Sequence, residues 1–418
     1  MTATTPTGPR QPERQPVVVL GWKPTEVLEA LGRYGAEVVC VCEPADAAAA
    51  EKSGVADRVV MTASLADAGE VVAALVRERV PLTEDSIVCS ADEFPLVTAS
   101  VAGEALGCRS WPVSRALALR DKFVQKLLIR AAGIPVADAH QVDRLADLAG
   151  VPFEPPYVVK PFDEAGVRRT VLVATTEQAE EIAARGGAED QGPWLVESFV
   201  PGGELHVDGA VRAGRLELVS VSRYLNNVMA FRDGGLVGST LLDPEEHPGL
   251  YAAVSDVTAR SLNALGHPDG VFHLELFEQD ELLVFGECAG RVGGGRVDTV
   301  VGLKFGVDLH DEWARAVLGL PSAAGSGLRD RRTFGWLHLP AVAGRVTAMP
   351  GPDEIRSRPG VEVVEMKAEV GGVMADVRKD SNSRAGRVVV SGDGAAEVEQ
   401  RLRDLADWFR AAVRVEQA

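Results

Sequence analysis

The chain lacks several features that mark large classes of protein. It has no apolar run long enough to cross a bilayer, although 46% of its 418 residues are hydrophobic, so we expect no membrane span. Its N-terminus lacks the charged and then apolar pattern of a secretory signal. Its five cysteines are an odd number without zinc spacing, which predicts neither a disulfide framework nor a zinc site. We therefore expect a cytoplasmic protein.

The chain also has few positive charges. Lys and Arg number 43 against 61 Asp and Glu, which gives a net charge of −18. This balance argues against binding along a nucleic-acid backbone. A phosphate-bearing ligand would have to be held by a few local cations rather than by a basic face.

The first hundred residues predict a parallel sheet. Residues 1–15 have no apolar period and predict a disordered tail. Short apolar strands then alternate with helical patterns, which is typical of a sheet flanked by helices; these strands are Val17–Leu20, Glu37–Val41, Val59–Val60 and Ile87–Ser90. Gly21 follows the first strand, but one glycine is not a dinucleotide fingerprint, so we do not predict a Rossmann cofactor.

Two acidic residues lie on a predicted hairpin further along the chain. Residues 270–277 alternate apolar and polar residues, a polar turn follows, and an apolar run starts at Leu282, which predicts two paired strands. The pairing brings Glu275 and Glu287 together, and a divalent cation commonly relieves such repulsion. Arg291 and a glycine run follow, offering a cation and backbone N–H groups to an anion. An exposed hairpin with incidental acids is the alternative.

Three earlier segments carry further candidates. Lys160 closes an apolar strand before Pro161, and a buried lysine needs an anionic partner or a lowered pKa. Lys122 follows Asp121, a predicted helix N-cap, and taken alone is typical of a solvated lysine. After a Pro-Gly-Gly break, Glu204 could accept hydrogen bonds from ribose hydroxyls, and the strand end before it could pair with a base edge. An ordinary bulged hairpin is the alternative there.

These segments resemble the nucleotide-binding segments of the ATP-grasp superfamily, in order and at workable spacing over about residues 17–320. The segments are Arg-Asp-Lys122, Val-Val-Lys160-Pro and Val196–Glu204. Glu275, Glu287 and Arg291 match the metal and catalytic positions of that superfamily. His273-Leu-Glu275 and the segment 287–295 look most like the L-amino acid ligase branch. Those enzymes form an acyl phosphate from a carboxylate and ATP, and an amine then displaces phosphate to give an amide.

The resemblance implies the following roles. ATP and Mg²⁺, with Mn²⁺ as an alternative, are the expected cofactors. The implied ATP-binding residues are Lys122, Lys160, Glu197, Phe199, Val200 and Glu204. The implied metal ligands are Glu275 and Glu287, and Arg291 is the implied catalytic residue. The candidate substrate contacts are Asn226, His273, Gly294, Gly295, Arg296 and His338, although a histidine such as His338 is more often a packed strand residue.

The expected fold class is α/β and α+β with several domains. An N-terminal parallel-sheet domain (16–115) precedes an ATP-grasp lid (116–200) and catalytic part (201–320). A β-rich C-terminal domain with a terminal helix (331–418) follows. Residues 222–240 are polar and glycine-broken, which predicts a loop near the substrate. Met366-Lys367 is similar to a biotin-attachment pair but lacks its usual flanking pattern.

The predicted partners are small-molecule carboxylate and amine substrates, with no nucleic acid and no membrane, and a homodimer is left open. Three functions are compatible with the segments. The first is an ATP-dependent carboxylate–amine ligase. The second is another ATP-grasp enzyme, either a carboxylase-type subunit or a ligase that loads a carrier protein. The third is a non-catalytic ATP-binding protein, against which Arg291 argues, because a mere binder would not need it.

Overall fold

The computed structural model describes residues 14–162, 169–185, 191–227, 235–280, 282–326, 329–375 and 383–416. The chain divides into two compact units, residues 1–116 with 313–320 and residues 117–312 with 321–418. The described helices include none that combines the length and the apolar character needed to span a bilayer. The predicted domain boundaries stay a prediction.

The first unit holds the predicted parallel sheet. Its strands are β1 (Pro16–Leu20), β2 (Glu37–Cys42), β3 (Arg58–Met61) and β4 (Ile87–Cys89), in the order β3-β2-β1-β4. Its first helices are α1 (Thr25–Arg33), α2 (Pro44–Ser53), α3 (Ala68–Arg77) and α4 (Leu96–Ala105). The strands read as continuous apolar runs because both faces of a parallel sheet are covered by helices. Val18, Val39 and Leu75 are fully buried there.

The first described residues are ordered, contrary to expectation. We predicted a disordered tail over residues 1–15, of which 1–13 lie outside the described residues. Arg14 Nη1 donates to Asp57 Oδ1 at 2.7 Å, and Gln15 Nε2 donates to the backbone oxygen of Asp85 at 2.6 Å. These polar contacts, which have no hydrophobic signature, hold both residues in place.

The second unit is built on three sheets. Its first strands are β5 (Ala139–Arg144), β6 (Tyr157–Pro161), β7 (Val171–Val173), β8 (Gln191–Ser198), β9 (Gly203–Arg212), β10 (Arg215–Tyr224), β11 (Gly238–Leu241), β12 (Gly270–Gln279) and β13 (Leu282–Ala289). The later strands are β14 (Thr333–Pro340), β15 (Gly344–Ala348), β16 (Val361–Met366), β17 (Val373–Met374), β18 (Arg384–Gly392) and β19 (Arg414–Glu416). The strand orders are β5-β8-β6-β7, β17-β15-β19 and β13-β12-β9-β10-β11-β14-β18-β16.

Eight further helices are described after α4. They are α5 (Val113–Ala118), α6 (Lys122–Ala131), α7 (Thr176–Arg185), α8 (Pro248–Ala264), α9 (Val297–Phe305), α10 (Leu309–Leu318), α11 (Pro352–Arg356) and α12 (Ala395–Ala412). The last helix packs Leu402 and Phe409 against Leu337 and Val388 of the large sheet. Because side chains alternate along a strand, the neighbours of Leu337 in β14 point to the opposite face.

The loop predicted over residues 222–240 is shorter than expected. Ser222 pairs with Leu241, and Tyr224 pairs with Ser239, so both ends of the segment belong to strands β10 and β11. Cross-strand pairing has overridden the polar, glycine-rich composition. Residues 228–234, the middle of the predicted loop, lie outside the described residues, as do residues 163–168.

Candidate active site

A cleft of about 150 Å³ lies in the second unit. Eight of its lining residues are ones that the sequence singled out for ATP or metal: Lys122, Lys160, Glu197, Phe199, Val200, Glu204, Glu275 and Glu287. They come from α6, β6, β12, β13 and the segment from β8 into β9. The fold thus brings together in one cleft residues that are spread over 166 positions, from 122 to 287.

Glu197 is the centre of a buried charge cluster in this cleft. Its two carboxylate oxygens lie 2.5 Å from Lys160 Nζ and 2.6 Å from Lys126 Nζ. Burial alone would raise the pKa of Glu197, but the two ammonium groups outweigh it and hold the pKa at about 2. Burial would likewise lower the pKa of Lys160, yet Glu197 and Glu287 hold it above its ordinary value. Lys160 therefore has the anionic partner that its position in an apolar strand predicted.

Lys126 is a member of the cluster that the sequence analysis missed. It lies one helical turn after Lys122 on α6, and residues four apart share a helix face. Its ammonium donates to the backbone oxygen of Gly286 at 2.5 Å, which ties α6 to strand β13. Burial lowers the pKa of Lys126 despite the opposing charge of Glu197. The i, i+4 spacing from Lys122 is the signal that could have revealed it.

Lys122 is buried, which corrects the solvated lysine expected from its local sequence. Only 5% of the residue is exposed, and its Nζ lies 3.6 Å from Glu287 Oε2. The helix α6 is begun by Asp121, whose carboxylate accepts hydrogen bonds from the backbone N–H groups of Phe123 and Val124. This N-cap fixes the direction of the first helical turn, and Lys122 belongs to that turn.

The predicted hairpin of β12 and β13 carries the two acidic candidates. Its register shifts by one residue between Leu274 and Leu276, opposite Cys288 and Phe285, so the strands contain a bulge at Glu275. Gly286 allows the close approach, since a Cβ atom there would lie 2.9 Å from the backbone oxygen of Glu275. The bulge brings Glu275 beside Glu287, as the sequence predicted for two acids on neighbouring strands.

Glu287 faces the lysines. Its Oε2 lies 4.0 Å from Lys160 Nζ as well as near Lys122. Burial would raise the pKa of Glu287, but the charges of Lys122 and Lys160 lower it well below its ordinary value. The carboxylate is therefore ionised at neutral pH, as a metal ligand must be.

Glu275 belongs to a chain of polar side chains that crosses β9 and β12. Tyr224 donates its hydroxyl to Glu275 at 3.3 Å, and His273 Nε2 lies 3.6 Å from the same carboxylate. His273 Nδ1 lies 2.7 Å from Asp208, whose other oxygen lies 2.5 Å from Nδ1 of His206. Burial alone would lower the pKa of His273, but Asp208 raises it to about 10. Asp208 and His206 were not predicted, because cross-strand pairing brings them beside His273.

The other candidates lie in three places. Arg291 follows β13, is half-buried and donates to the backbone oxygen of Val292 at 3.1 Å. Asn226 does not line the cleft; it accepts a hydrogen bond from the backbone N–H of Leu236 at 3.0 Å, whereas its neighbour Asn227 does line the cleft. Gly295, between the candidates Gly294 and Arg296, lies against Trp336, whose ring is 5.1 Å from that of His338.

Comparisons with known proteins agree with this architecture. Residues 337–414 match the family described as L-amino acid ligase C-terminal domain 2. A solved L-amino acid ligase from Bacillus licheniformis superposes with a TM-score of 0.78 at 20% identity, covering 98% of this chain and all of that one. A carboxyaminoimidazole ribonucleotide synthase from Aspergillus clavatus, solved with ATP, gives 0.71 at 18% identity, covering 95% and 99% of the two chains. Both structures share the fold.

A curated relative covers three quarters of the chain. The L-arginine-specific L-amino acid ligase of Bacillus subtilis is 24% identical over 325 residues, which are 75% of this chain and 77% of the relative. The protein therefore has the ATP-grasp fold, and the predicted fold class is confirmed. Within that fold it resembles the L-amino acid ligases, so the resemblance inferred from its motifs is also confirmed.

Proposed function

We propose that the protein is an ATP-dependent ligase that joins a carboxylate to an amine through an acyl phosphate, releasing ADP and phosphate. The observation that supports it best is the cleft, where three lysines lie within 3.6 Å of a carboxylate and where two carboxylates come from the adjacent strands β12 and β13. ATP and a carboxylate repel each other because both are anions. A cleft that joins them must supply fixed cations and exclude water.

Lys122 and Lys160 bind the phosphates of ATP in this proposal. Their ammonium groups converge on Glu287 Oε2 at 3.6 and 4.0 Å, so they border the same point in the cleft. Phe199, Val200 and Glu204 line the part of the cleft that follows β8. There the backbone of the strand end pairs with the base edge, and Glu204 accepts from the ribose.

Glu275 and Glu287 fit a divalent metal. Both are carboxylates, which hard cations such as Mg²⁺ prefer, and Tyr224 and His273 help to hold the Glu275 carboxylate from 3.3 and 3.6 Å. When bound, magnesium would supply the positive charge that neutralises the transferring phosphates. The chain's contribution is to keep Glu287 ionised and to hold both carboxylates beside the bulge. Mn²⁺ is an alternative ion, since it prefers similar oxygen ligands.

Arg291 stabilises the transferring phosphoryl group and the developing oxyanion. It begins the glycine-rich segment that follows β13, four residues after Glu287. A planar guanidinium can span two oxygens, which an ammonium cannot do.

The cytoplasmic location and the homodimer remain predictions.

The first experiment tests the ligase reaction directly. Phosphate release should be measured against a panel of carboxylates crossed with amines, and hydroxylamine should trap the activated carboxylate as a hydroxamate. Glu287→Gln should keep the fold and lose turnover, while Glu181→Gln, at an exposed site on α7, should behave as the wild type. Undiminished ADP formation by Glu287→Gln would contradict the metal assignment.

A second candidate function is a carboxylase-type ATP-grasp reaction, favoured by the fold shared with the Aspergillus clavatus enzyme. Bicarbonate-dependent phosphate release without hydroxamate formation would support it. A ligase that loads a carrier protein would instead need the carrier's thiol as acceptor.

A further inference from the structure

A second group of polar side chains lies on the face of β14 that points away from α12. It is formed by Arg296, Trp336, His338 and Arg387, and we call it the indole pocket. His338 pairs with Arg387 across β14 and β18, and Arg387 pairs with Glu365 across β18 and β16. Trp336, two residues before His338, lies on the same face, with the two rings 5.1 Å apart.

The polar atoms of the indole pocket are buried without hydrogen-bond partners among the described residues. They are Trp336 Nε1, both ring nitrogens of His338, and the Nε atoms of Arg296 and Arg387. Trp336 is only 4% exposed. A buried donor without a partner costs about 1–3 kcal/mol, so four side chains with such atoms in one place indicate a group that the pocket is built to receive.

The charges around the indole pocket specify the sign of that group. Arg296 and Arg387 share one acid, Glu365, to which Arg296 is hydrogen-bonded and from which Arg387 Nη1 lies 3.9 Å. Asp298 is a second acid near Arg387, while Arg384 and Lys367 add positive charge near His338. Four cations and two acids thus lie in or around the pocket in a chain of net charge −18, which favours an anion.

The glycine-rich segment connects the indole pocket to the proposed reaction centre. Gly295 has a φ of +72°, and a Cβ atom there would lie 2.4 Å from the indole of Trp336. Arg291 lies five residues before Arg296, and five residues span at most about 18 Å. The segment thus runs directly from the proposed reaction centre to the pocket.

We propose that the indole pocket binds a carboxylate of the substrate that does not react, with Arg296 and Arg387 supplying the charge and Trp336 a neutral donor. This proposal rests on the proposed function for its reaction, though not for its binding. The carboxylate has two sources: the α-carboxylate of an amino acid that acts as the amine, or a side-chain carboxylate of either substrate. Both sources present the same planar anion, which a guanidinium recognises with paired hydrogen bonds.

The test is binding by calorimetry, with a non-hydrolysable ATP analogue present, of glycine against glycine amide and of glutamate against glutamine. Arg387→Met and Trp336→Phe should each weaken the binding of the carboxylate-bearing ligand, by about ten- to hundredfold for the arginine, and leave the affinity for the ATP analogue within twofold. Arg356→Met, at an exposed arginine of α11, is the control. If the pocket variants no longer distinguish glycine from glycine amide, the bound group is the α-carboxylate. If they no longer distinguish glutamate from glutamine, it is the side-chain carboxylate.

Two results would overturn the inference. One is wild-type affinity of both pocket variants for every carboxylate, and the other is an equal loss of affinity for the matching amides. If carboxylates bind through the pocket but no hydroxamate forms, the inference stands and the ligase function fails. Where an active pair is found, Arg387→Met should raise KM for the carboxylate-bearing substrate and leave kcat and the KM for ATP nearly unchanged.

Discussion

The cleft and the indole pocket solve the problem of burying polar groups in opposite ways. In the cleft, Glu197 is enclosed between Lys126 and Lys160, and each charge has a partner within 2.6 Å. In the indole pocket, Trp336 and His338 have buried ring nitrogens without partners in the described part of the chain. The ion pairs of Glu197 are complete before a ligand arrives, whereas the pocket gains hydrogen bonds only when one binds.

This difference separates what each region contributes to folding from what it contributes to binding. Removing one member of a buried ion pair leaves a charge without compensation and costs about 3–5 kcal/mol. Removing an unpartnered polar atom takes away a cost that the folded chain already bears. Variants of the cleft should therefore affect both stability and activity, and variants of the pocket should affect ligand binding alone.

The largest expected effect is on the rate, at Arg291. Arg291→Ala should lower kcat by about 10³-fold, because it removes charge stabilisation that develops only in the transition state. Lys160→Ala should mainly raise the KM for ATP, since it contacts phosphates that do not move. Steady-state phosphate release and calorimetric ATP binding separate the two effects. Arg291→Lys should rescue only in part, and normal turnover by Arg291→Ala would refute this division of roles.

The next effect is on stability, at Glu197. Glu197→Gln should lower the free energy of unfolding by about 3 kcal/mol, because it leaves Lys126 buried without its counter-charge. Chemical denaturation at pH 7 measures the loss, with Glu181→Gln as the control. Arg387→Met is the matching variant in the indole pocket, and it should lower the free energy of unfolding by less than about 1 kcal/mol. Equal losses in the two regions would remove the contrast between them.

The dependence of stability on pH should show the contribution of the Glu197 carboxylate. Two lysines lower the pKa of Glu197 from its ordinary value to about 2, so its stabilising contribution is complete above about pH 4.5 and is lost as the pH falls toward 2. Comparison of the wild type with Glu197→Gln by denaturation from pH 6 to 3 should therefore show their stabilities converging below pH 4.5. Parallel curves across that range would exclude this pair as the cause.

The smallest effect is that of His338. Burial, aided by Arg384 and Arg387, lowers the pKa of His338 from about 6.5 to about 3. A lowered histidine pKa means that the neutral form is favoured on folding, so its contribution is complete above pH 6.5 and falls as the pH falls toward 3. When the pH falls from 6.5 to 5, the free energy of unfolding of His338→Gln should therefore decrease by about 1 kcal/mol less than that of the wild type. The same substitution in β5, His140→Gln, is the control.

The sequence predicted the helices and strands better than it predicted the contacts between them. The hairpin of Glu275 and Glu287 joins neighbouring strands with a short turn, so alternation alone was sufficient to pair the acids. Lys126 was missed because a lysine inside an amphipathic helix carries no local sign of burial. Trp336 and Arg387 were missed because they meet only through the order β14-β18-β16, which depends on strands far apart in the chain.

The glycine-rich segment after Arg291 also indicates where the substrate range could be redesigned. A Cβ atom at Gly293 would lie 2.5 Å from Asp208, and one at Gly295 would strike Trp336, but at Gly294 nothing lies within 4 Å. Gly294 also lacks the positive φ that strains other residues. A library of side chains at Gly294 should therefore fold as the wild type does while it trims the space between reaction centre and pocket, so that specificity becomes adjustable at a single codon.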